Sequence, residues 1–315
     1  MEKKSKIFVA GGQSGLVGTA IVRNLKEKGF TNILVRTRKE VDLSDQKSVE
    51  QFFVKEKPEY VFLAAAKVGG IWANNTKKAD FIYDNLVIQN NIIYNAWKYG
   101  VKKLLFLGSS CIYPRSAKQP IKEEYFMTGP LEPTNDAYAI AKIAGIKMCQ
   151  SFNDQYHTNF ISVMPTNLYG PHDNFDLVDS HVLPAMIRKF HDAKVKNEKE
   201  VLLWGDGSPR REFLYVDDMA DACVFLMEQY NGSEIINIGC GKDQTIKKLA
   251  HTVKDIVGFK GNITWDATKP NGMMRKQLDV TKLFSLGWRP TMALSAGIQK
   301  EYDWFLEFFE KKIYL

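Results

Sequence analysis

The stretch of residues 7–18, IFVAGGQSGLVG, decides the fold of this chain. Residues 7–10 are apolar and predict a short buried strand, and a helical pattern begins at Leu16. Between them, three glycines follow the G-x-x-G-x-x-G spacing. Glycines at such a junction permit a tight turn and let backbone N–H groups approach a pyrophosphate. A plain glycine-rich turn is the alternative, but the position favours a dinucleotide held by Gly12, Gln13, Ser14, Gly15, Leu16, Val17 and Gly18.

The first half of the chain continues this alternation of strand and helix. Runs of β-branched and aromatic residues predict further strands at 33–36, 60–66, 104–108 and 160–165. Periodic segments long enough to be crossover helices lie at 16–28, 46–56, 81–99 and 138–155. The pattern predicts an α/β fold with a Rossmann-type doubly wound parallel sheet.

After residue 170 the alternation weakens, which indicates a second lobe. Turn-rich stretches at 172–180 and 205–211 surround a predicted helix at 183–193. A strand at 235–238 is expected to return to the sheet, and 302–309 is expected to form a terminal helix. The sequence therefore predicts a cofactor domain at 1–170, joined by 212–242, and a smaller α/β substrate-binding lobe at 171–315.

Composition and charge narrow the class of protein. The chain is 45% hydrophobic and 25% charged, which is typical of a soluble globular protein. Its apolar runs are far shorter than the ~20 residues of a membrane-spanning helix, and its first residues lack a signal-peptide core, so we expect a cytoplasmic protein. The net charge of +7 is scattered, with no basic block that indicates a nucleic-acid partner. The widely spaced cysteines predict neither a metal site nor disulfides: Cys111, Cys149, Cys223 and Cys240.

Arg36 and Arg38 lie at the end of the second predicted strand, where NAD enzymes usually place an acidic residue. A guanidinium group suits a ribose 2′-phosphate because it carries a permanent charge and binds phosphate oxygens in a forked geometry. The pair therefore favours NADPH over NADH. Two solvated arginines on a loop are the alternative.

Tyr138 and Lys142 have the Y-x-x-x-K spacing, which places both side chains on one face of a helix. An ammonium group near a tyrosine favours the phenolate, so the pair suits acid and base catalysis. The spacing alone is common in structural helices. Ser109 favours a catalytic pair over a structural helix, because it follows the strand at 104–108, at the sheet edge where ligands of doubly wound folds bind.

Together with the segment 211–217, REFLYVD, these motifs resemble the extended short-chain dehydrogenase/reductase family. The resemblance implies hydride transfer at a sugar carbon. Tyr138 would exchange the hydroxyl proton, Lys142 would lower the pKa of Tyr138 and hold the nicotinamide ribose, and Ser109 would polarise the carbonyl. The resemblance also implies further contacts with the cofactor by Asp42, Leu43, Ala65, Lys142, Pro165, Asn167, Leu168 and His181.

Segments 63–71, 108–114, 131–135, 139–145, 164–174 and 204–207 resemble one branch of this family. That branch converts GDP-4-keto-6-deoxy-D-mannose to GDP-L-fucose by epimerisation at C3 and C5 and reduction at C4 with NADPH. The resemblance implies that Cys111 and His181 carry protons in the epimerisation, and it leaves open which is base and which is acid. A buried small cysteine and a hydrogen-bonded histidine are the alternatives.

The resemblance extends to the expected GDP-sugar substrate. It implies substrate contacts by Asn167, Lys189, Trp204 and Arg211, whereas an exposed lysine and a core tryptophan are the ordinary alternatives. At Asn271 the family usually has aspartate, so the role of this position in nucleotide recognition is open. The family also commonly forms homodimers through the helices equivalent to 81–99 and 138–155.

Two other functions fit parts of the pattern. Another sugar-nucleotide epimerase, reductase or dehydratase of the extended family would keep the fold, but Arg36 and Cys111 argue against an enzyme that retains its cofactor without consuming it. A non-catalytic NADP-binding regulator would share the fold too. Such proteins tend to lose the tyrosine or the lysine, and here both are present.

Overall fold

The computed structural model describes residues 1–177, 179–269 and 271–310. The strands are β1 (Ile7–Ala10), β2 (Ile33–Leu34), β3 (Tyr60–Leu63), β4 (Lys103–Leu107), β5 (Phe160–Pro165), β6 (Asn167–Tyr169), β7 (Glu200–Trp204), β8 (Arg210–Tyr215), β9 (Ile236–Ile238), β10 (Asp243–Thr245), β11 (Asn262–Asp266) and β12 (Arg275–Lys276). The helices are α1 (Leu16–Glu27), α2 (Gln46–Glu56), α3 (Ile71–Thr76), α4 (Lys78–Lys98), α5 (Asp136–Tyr156), α6 (Val182–Val195), α7 (Val216–Gln229), α8 (Ile246–Val257), α9 (Thr281–Ser285) and α10 (Leu294–Trp304), which a π-helix (Phe305–Glu310) follows.

Six strands form a parallel sheet in the order β2-β1-β3-β4-β5-β9. Ile7 of β1 lies beside Ile33 of β2 on one side and Tyr60 of β3 on the other. The chain runs outward from β1 to β2 and then crosses back to β3, so the direction of winding reverses between β1 and β3. Ligands of such sheets bind at this reversal, beyond the carboxyl ends of the strands. The predicted α/β fold class is confirmed.

Two hydrophobic cores cover the two faces of the sheet. On one face Ile21 of α1 and Met219 of α7 pack with Ile7 and Val9 of β1. On the other face residues of α2, α4 and α5 pack with Phe8 and alternate residues of the other strands. The inner strands β1, β3, β4 and β5 are largely buried on both faces, which explains why they read as apolar runs, whereas the edge strand β2 is half-buried.

The second lobe has its own core and two small sheets. β8 pairs with β6, β10 and β12, and β7 pairs with β11. Helices α6, α8 and α10 contribute Phe190, Val253 and Ile298 to a core that also contains Phe175. None of the helices in the described ranges is long and apolar enough to cross a membrane.

The predicted elements of the first half are confirmed with shifted bounds. β2 and β3 end two and three residues earlier than predicted, at Leu34 and Leu63, because the chain leaves the sheet there to line a cavity. Helices α4 and α5 begin earlier, at Lys78 and Asp136. The returning strand is β9, and the predicted terminal helix spans the end of α10 and the π-helix.

The second half contains more regular structure than the sequence predicts. The turn-rich stretch at 205–211 overlaps β8, which begins at Arg210. Helices α7 and α8 and strands β7 and β11 were not predicted. Most strands of this lobe have two to six residues and pair with distant segments, so local periodicity carries little information about them.

Candidate active site

One large cavity, of about 1180 Å³, lies at the reversal point of the sheet and extends into the second lobe. Every site residue predicted from the sequence lines it, with the exception of Gly12. Gly12 lies behind the loop, where a Cβ atom would come within 2.8 Å of Val35 and 2.9 Å of Val22. Gly12 therefore packs closely between β1 and α1.

The glycine loop approaches the loop after β3 very closely. Gly11 has a φ of 87°, and a Cβ atom there would lie 2.8 Å from the backbone nitrogen of Ala65. A Cβ atom on Gly18 would collide with the carbonyl oxygen of Gly11. These contacts seat the N-terminus of α1 directly on the loop, and residues 13–18 face the cavity. The prediction omitted Gly11, although the backbone of the loop after β3 leaves no room for a side chain there.

Arg36 and Arg38 differ in how far they are available to a ligand. The Arg36 guanidinium group contacts Glu56 at 2.8 Å and the carbonyl oxygen of Val35 at 2.8 Å, and its side chain is 26% exposed. The Arg38 side chain is 84% exposed and contacts Asp42 at 3.3 Å. Arg38 is thus the freer of the two cations.

Helix α5 presents Tyr138 and Lys142 on one face, as their spacing predicts. Lys142 is buried, and its Nζ atom donates to the carbonyl oxygen of Leu107 at 2.8 Å and lies 5.8 Å from the centre of the Tyr138 ring. Burial lowers the pKa of Lys142 to about 7. The bond to Leu107 fixes the ammonium group at the end of β4, where Ser109 follows.

The pKa of Tyr138 is shifted in the direction opposite to the one expected. Burial and the nearby Cys111 raise it, and a hydrogen bond with Ser109 lowers it by a smaller amount. Desolvation of the phenolate outweighs any help from Lys142, whose own charge is weakened by burial. Tyr138 is accordingly protonated at neutral pH, which is the form that can donate a proton to an oxygen atom.

Two donors contact the sulfur atom of Cys111. Asn135 Nδ2 lies 3.2 Å and Lys276 Nζ 3.4 Å from Sγ. The backbone nitrogen of Cys111 donates to the hydroxyl of Ser109 at 3.2 Å, which ties the thiol to the residues around Tyr138. These contacts hold the thiol of Cys111 close to the hydroxyl of Ser109.

His181 immediately precedes α6, and its ring is exposed within the cavity. The surrounding protein lowers the pKa of His181 by desolvation, and the positive charge of Lys276 lowers it further. Lys276 therefore contacts the sulfur atom of Cys111 and also lowers the pKa of His181. The neutral form of the imidazole is favoured at neutral pH.

The remaining predicted residues line the part of the cavity formed by the second lobe. Lys189 Nζ lies 5.7 Å from the centre of the Trp204 ring and 3.3 Å from the carbonyl oxygen of Leu202. Asn271 Oδ1 accepts a hydrogen bond from the backbone nitrogen of Asp206 at 3.1 Å. A carboxylate could accept the same bond, so asparagine preserves this contact between loops without a negative charge.

Arg211 and Asn167 reach the cavity from adjacent strands. β6 pairs with β8, and Asn167 Nδ2 donates to the carbonyl oxygen of Glu212 at 2.8 Å. Arg211 precedes Glu212 on β8 and lines the same cavity as Cys111. The geometry thus brings the predicted substrate residues and the predicted catalytic residues into one cavity.

Asn135 and Lys276 are residues of this site that the sequence analysis did not single out. Asn135 lies in a segment quoted for its family resemblance, and its proximity to Tyr138 was an available signal. Lys276 is 165 residues from Cys111, and no local pattern marks it. Only the pairing of β12 with β8 brings it to the site.

Comparison with known proteins identifies the family to which the chain belongs. A model of the NAD dependent epimerase/dehydratase family matches residues 7–239. The putative GDP-L-fucose synthase 2 of Arabidopsis thaliana is 62% identical over 307 residues, which cover 98% of this chain and 93% of that protein. The GDP-L-fucose synthase of Escherichia coli K12 is 52% identical over 313 residues, covering 96% and 97% respectively. The chain belongs to the GDP-L-fucose synthase family.

A solved structure from this family has the same fold. It is a GDP-L-fucose synthetase from Naegleria fowleri bound to NADP, with a TM-score of 0.91 and 32% identity over 98% of this chain and 96% of that chain. Membership of the GDP-L-fucose synthase family confirms the resemblance seen in the motifs. It also confirms that the chain is an epimerase/dehydratase-type enzyme that uses a nicotinamide cofactor.

Proposed function

We propose that this protein is a GDP-L-fucose synthase. It epimerises GDP-4-keto-6-deoxy-D-mannose at C3 and C5 and then reduces the C4 ketone with NADPH. The observation that carries the proposal is that a single cavity holds two sets of groups. Ser109, Tyr138 and Lys142 suit the reduction of a ketone, and Cys111 and His181 suit proton exchange at the carbons beside it.

Epimerisation needs a base and an acid on opposite sides of the sugar. The C4 ketone acidifies the C–H bonds at C3 and C5, so a base can remove one proton and leave an enolate, which an acid protonates from the other face. Cys111 and His181 are the proton carriers, and both lie within reach of the charge of Lys276. Ser109 and Tyr138 stabilise the enolate oxygen by hydrogen bonds.

Reduction uses the same oxygen-binding groups. NADPH, when bound, supplies a hydride to C4. Tyr138 donates its phenolic proton to the C4 oxygen, and the raised pKa of Tyr138 keeps that proton in place until the oxygen becomes basic. Lys142 is fixed by Leu107 so that its ammonium group lies near the Tyr138 ring and compensates the phenolate that forms.

The cavity fits the cofactor and the substrate at opposite ends. Close backbone packing at Gly11 and Gly18 leaves the N-terminus of α1 facing the cavity, which suits a pyrophosphate. Exposed Arg38 suits a 2′-phosphate. At the other end, Lys189 and Arg211 suit the diphosphate of a GDP-sugar, and Trp204 offers a flat surface.

The proposed reaction is tested by incubating the enzyme with GDP-4-keto-6-deoxy-D-mannose and NADPH in deuterated water. NADPH oxidation is followed by absorbance, and the product is analysed by mass spectrometry and NMR. Oxidation with deuterium at both C3 and C5 of GDP-L-fucose is the expected result. Oxidation without deuterium would indicate a plain 4-reductase. The absence of both oxidation and deuterium would indicate that the substrate is a different sugar nucleotide.

Two variants separate the two halves of the reaction. Cys111→Ser is expected to abolish deuterium exchange and retain NADPH binding, because a serine hydroxyl gives up its proton far less readily than a thiol and so replaces it poorly as either base or acid. Exchange at the wild-type rate in this variant would remove Cys111 from the mechanism.

Tyr138→Phe is expected to lower NADPH oxidation by roughly 10²–10⁴-fold, the usual contribution of a general acid, and to affect exchange less. Normal oxidation in this variant would contradict the role of Tyr138. The binding of NADPH, measured by fluorescence titration, is the control for a folded protein in both variants.

We also propose the domain division expected from the sequence. Residues 1–170 and 212–242 would form the cofactor domain, which is supported by Met219 and Ile236 in the core of the sheet. The lobe within 171–315 is supported by the separate core around Phe190. Leu278 and Trp288 pack on the two faces of the sheet, so the chain returns to it a second time after 242.

A homodimer through α4 and α5 is a further part of the proposal, together with a cytoplasmic location. Both helices pack side by side over one face of the sheet and expose large apolar side chains, namely Tyr83, Tyr94, Ile140 and Tyr156. Light scattering on the wild type and on Ile140→Glu tests the dimer, since a charge in a dimer interface should shift the mass towards the monomer.

A further inference from the structure

The turn at Gly69 and Gly70, which precedes α3, lies directly against the segment that leads into His181. The backbone nitrogen of Gly70 donates to the carbonyl oxygen of Asp179 at 2.8 Å. A Cβ atom on Gly70 would lie 2.5 Å from the carbonyl oxygen of Ser180. Only glycine permits this approach without a shift of one of the two backbones.

The side chain of Asn74 holds the same turn from its other side. Asn74 is 7% exposed, and its Nδ2 atom donates to the carbonyl oxygen of Gly69 at 2.7 Å and to that of Gly70 at 3.0 Å. A buried amide that donates to two consecutive carbonyl oxygens restricts the orientation of both peptide groups. The position of the Gly70 nitrogen is therefore set by Asn74.

His181 lies between this contact and the start of α6. On its C-terminal side, the carbonyl oxygen of His181 accepts a hydrogen bond from the backbone nitrogen of Ala185 at 3.1 Å, which joins His181 to the helix. On its N-terminal side, Gly70 contacts Asp179 and Ser180, the two residues that precede His181. The backbone of His181 is thus held at two points, one of which depends on α3.

We propose that Asn74 is a positioning residue for epimerisation, which acts through the Gly69–Gly70 turn on the placement of the His181 imidazole. The inference rests on the proposed function, since it assigns a support to one of its proton carriers. An ion pair of Lys77 with Asp179 at 3.0 Å joins the same two segments. Both of its side chains are exposed, so it contributes little to the position of the backbone.

The test compares two reactions of the full-length enzyme. Epimerisation is measured as the exchange of the C3 and C5 hydrogens of GDP-4-keto-6-deoxy-D-mannose with deuterated water in the presence of NADP⁺. Hydride transfer is measured separately as a single turnover of GDP-L-fucose with NADP⁺. In that turnover the C4 hydride reduces NADP⁺ to NADPH, and the proton of the C4 hydroxyl is released to the solvent.

Asn74→Ala removes both hydrogen bonds to the turn, and Gly70→Ala forces the turn and Ser180 apart while Asn74 stays intact. Thr76→Val is the matched control: it removes the hydrogen bond of Thr76 to the carbonyl oxygen of Trp72 within α3, at 2.8 Å. NADPH binding shows that each variant is folded.

Asn74→Ala and Gly70→Ala are each expected to slow exchange by roughly 10- to 100-fold, the effect of displacing the His181 imidazole by about 1 Å. Hydride transfer should proceed at the wild-type rate. The control should match the wild type in both reactions. Unchanged exchange in both variants, or a parallel loss of exchange and hydride transfer, would overturn the role of Asn74. Absence of exchange in the wild type would instead overturn the proposed function.

Discussion

Replacing Arg38 by alanine is expected to reduce the preference for NADPH over NADH more than replacing Arg36. The sequence predicts that both arginines lie where a 2′-phosphate would bind, but the structure distinguishes them. Arg36 already contacts Glu56 and the carbonyl oxygen of Val35. Arg38 is 84% exposed, and its contact with Asp42 is weak enough to be exchanged for a phosphate.

The size of the effect follows from the kind of bond that is lost. A hydrogen bond to a charged group contributes roughly 1.5–3 kcal/mol. The exposure of Arg38 places its contribution near the lower end, because solvent screens the charge. About 1.5 kcal/mol corresponds to roughly a tenfold change in kcat/KM for NADPH. NADH lacks the 2′-phosphate, so its kcat/KM should stay unchanged.

The assay measures kcat/KM with NADPH and with NADH for the wild type, Arg38→Ala and Arg36→Ala. Arg36→Ala should lower the thermal midpoint, since it leaves the half-buried carboxylate of Glu56 without this partner. Its effect on the NADPH to NADH ratio should be the smaller one. A ratio that falls with Arg36→Ala and not with Arg38→Ala would refute the reasoning and show that Arg36 leaves Glu56 for the phosphate.

Two further predictions concern protonation. Lys276→Met should raise the pKa of His181, because the Lys276 charge lowers it in addition to desolvation, so the His181 limb in the pH profile of deuterium exchange should move to higher pH; an unmoved limb would contradict this coupling. Glu301→Gln should flatten the pH dependence of stability measured by urea unfolding. Burial raises the pKa of Glu301, and burial raises the pKa of Asp173 from 3.8 to about 7. Both folded-state pKa values exceed the unfolded ones, so their stabilisation is complete below the unfolded values and is lost as pH rises through the folded values. If the free energy of unfolding of Glu301→Gln changes with pH between 3.8 and about 7 as steeply as that of the wild type, the raised pKa values of Glu301 and Asp173 are contradicted.

The sheet and its helices could be predicted because their information is local. The inner strands of the sheet are mostly apolar and buried on both faces, and α1, α2, α4 and α5 are long enough for their periodicity to show. The spacing of Tyr138 and Lys142 needs only the geometry of one helix. The family resemblance was equally visible because it rests on short contiguous motifs.

The sequence by itself therefore determined the doubly wound fold, the family and the set of predicted site residues. The tertiary structure decided which of these residues face the cavity, since Gly12 packs behind the loop and Arg36 is engaged by Glu56. It also decided the electrostatics: burial raises the pKa of Tyr138, although the motif predicts the opposite. Lys276 lies 165 residues after Cys111 in the chain, and the pairing of β12 with β8 brings the two side chains together. Desolvation and long-range pairing depend on what surrounds a residue in space, and a local sequence pattern contains neither.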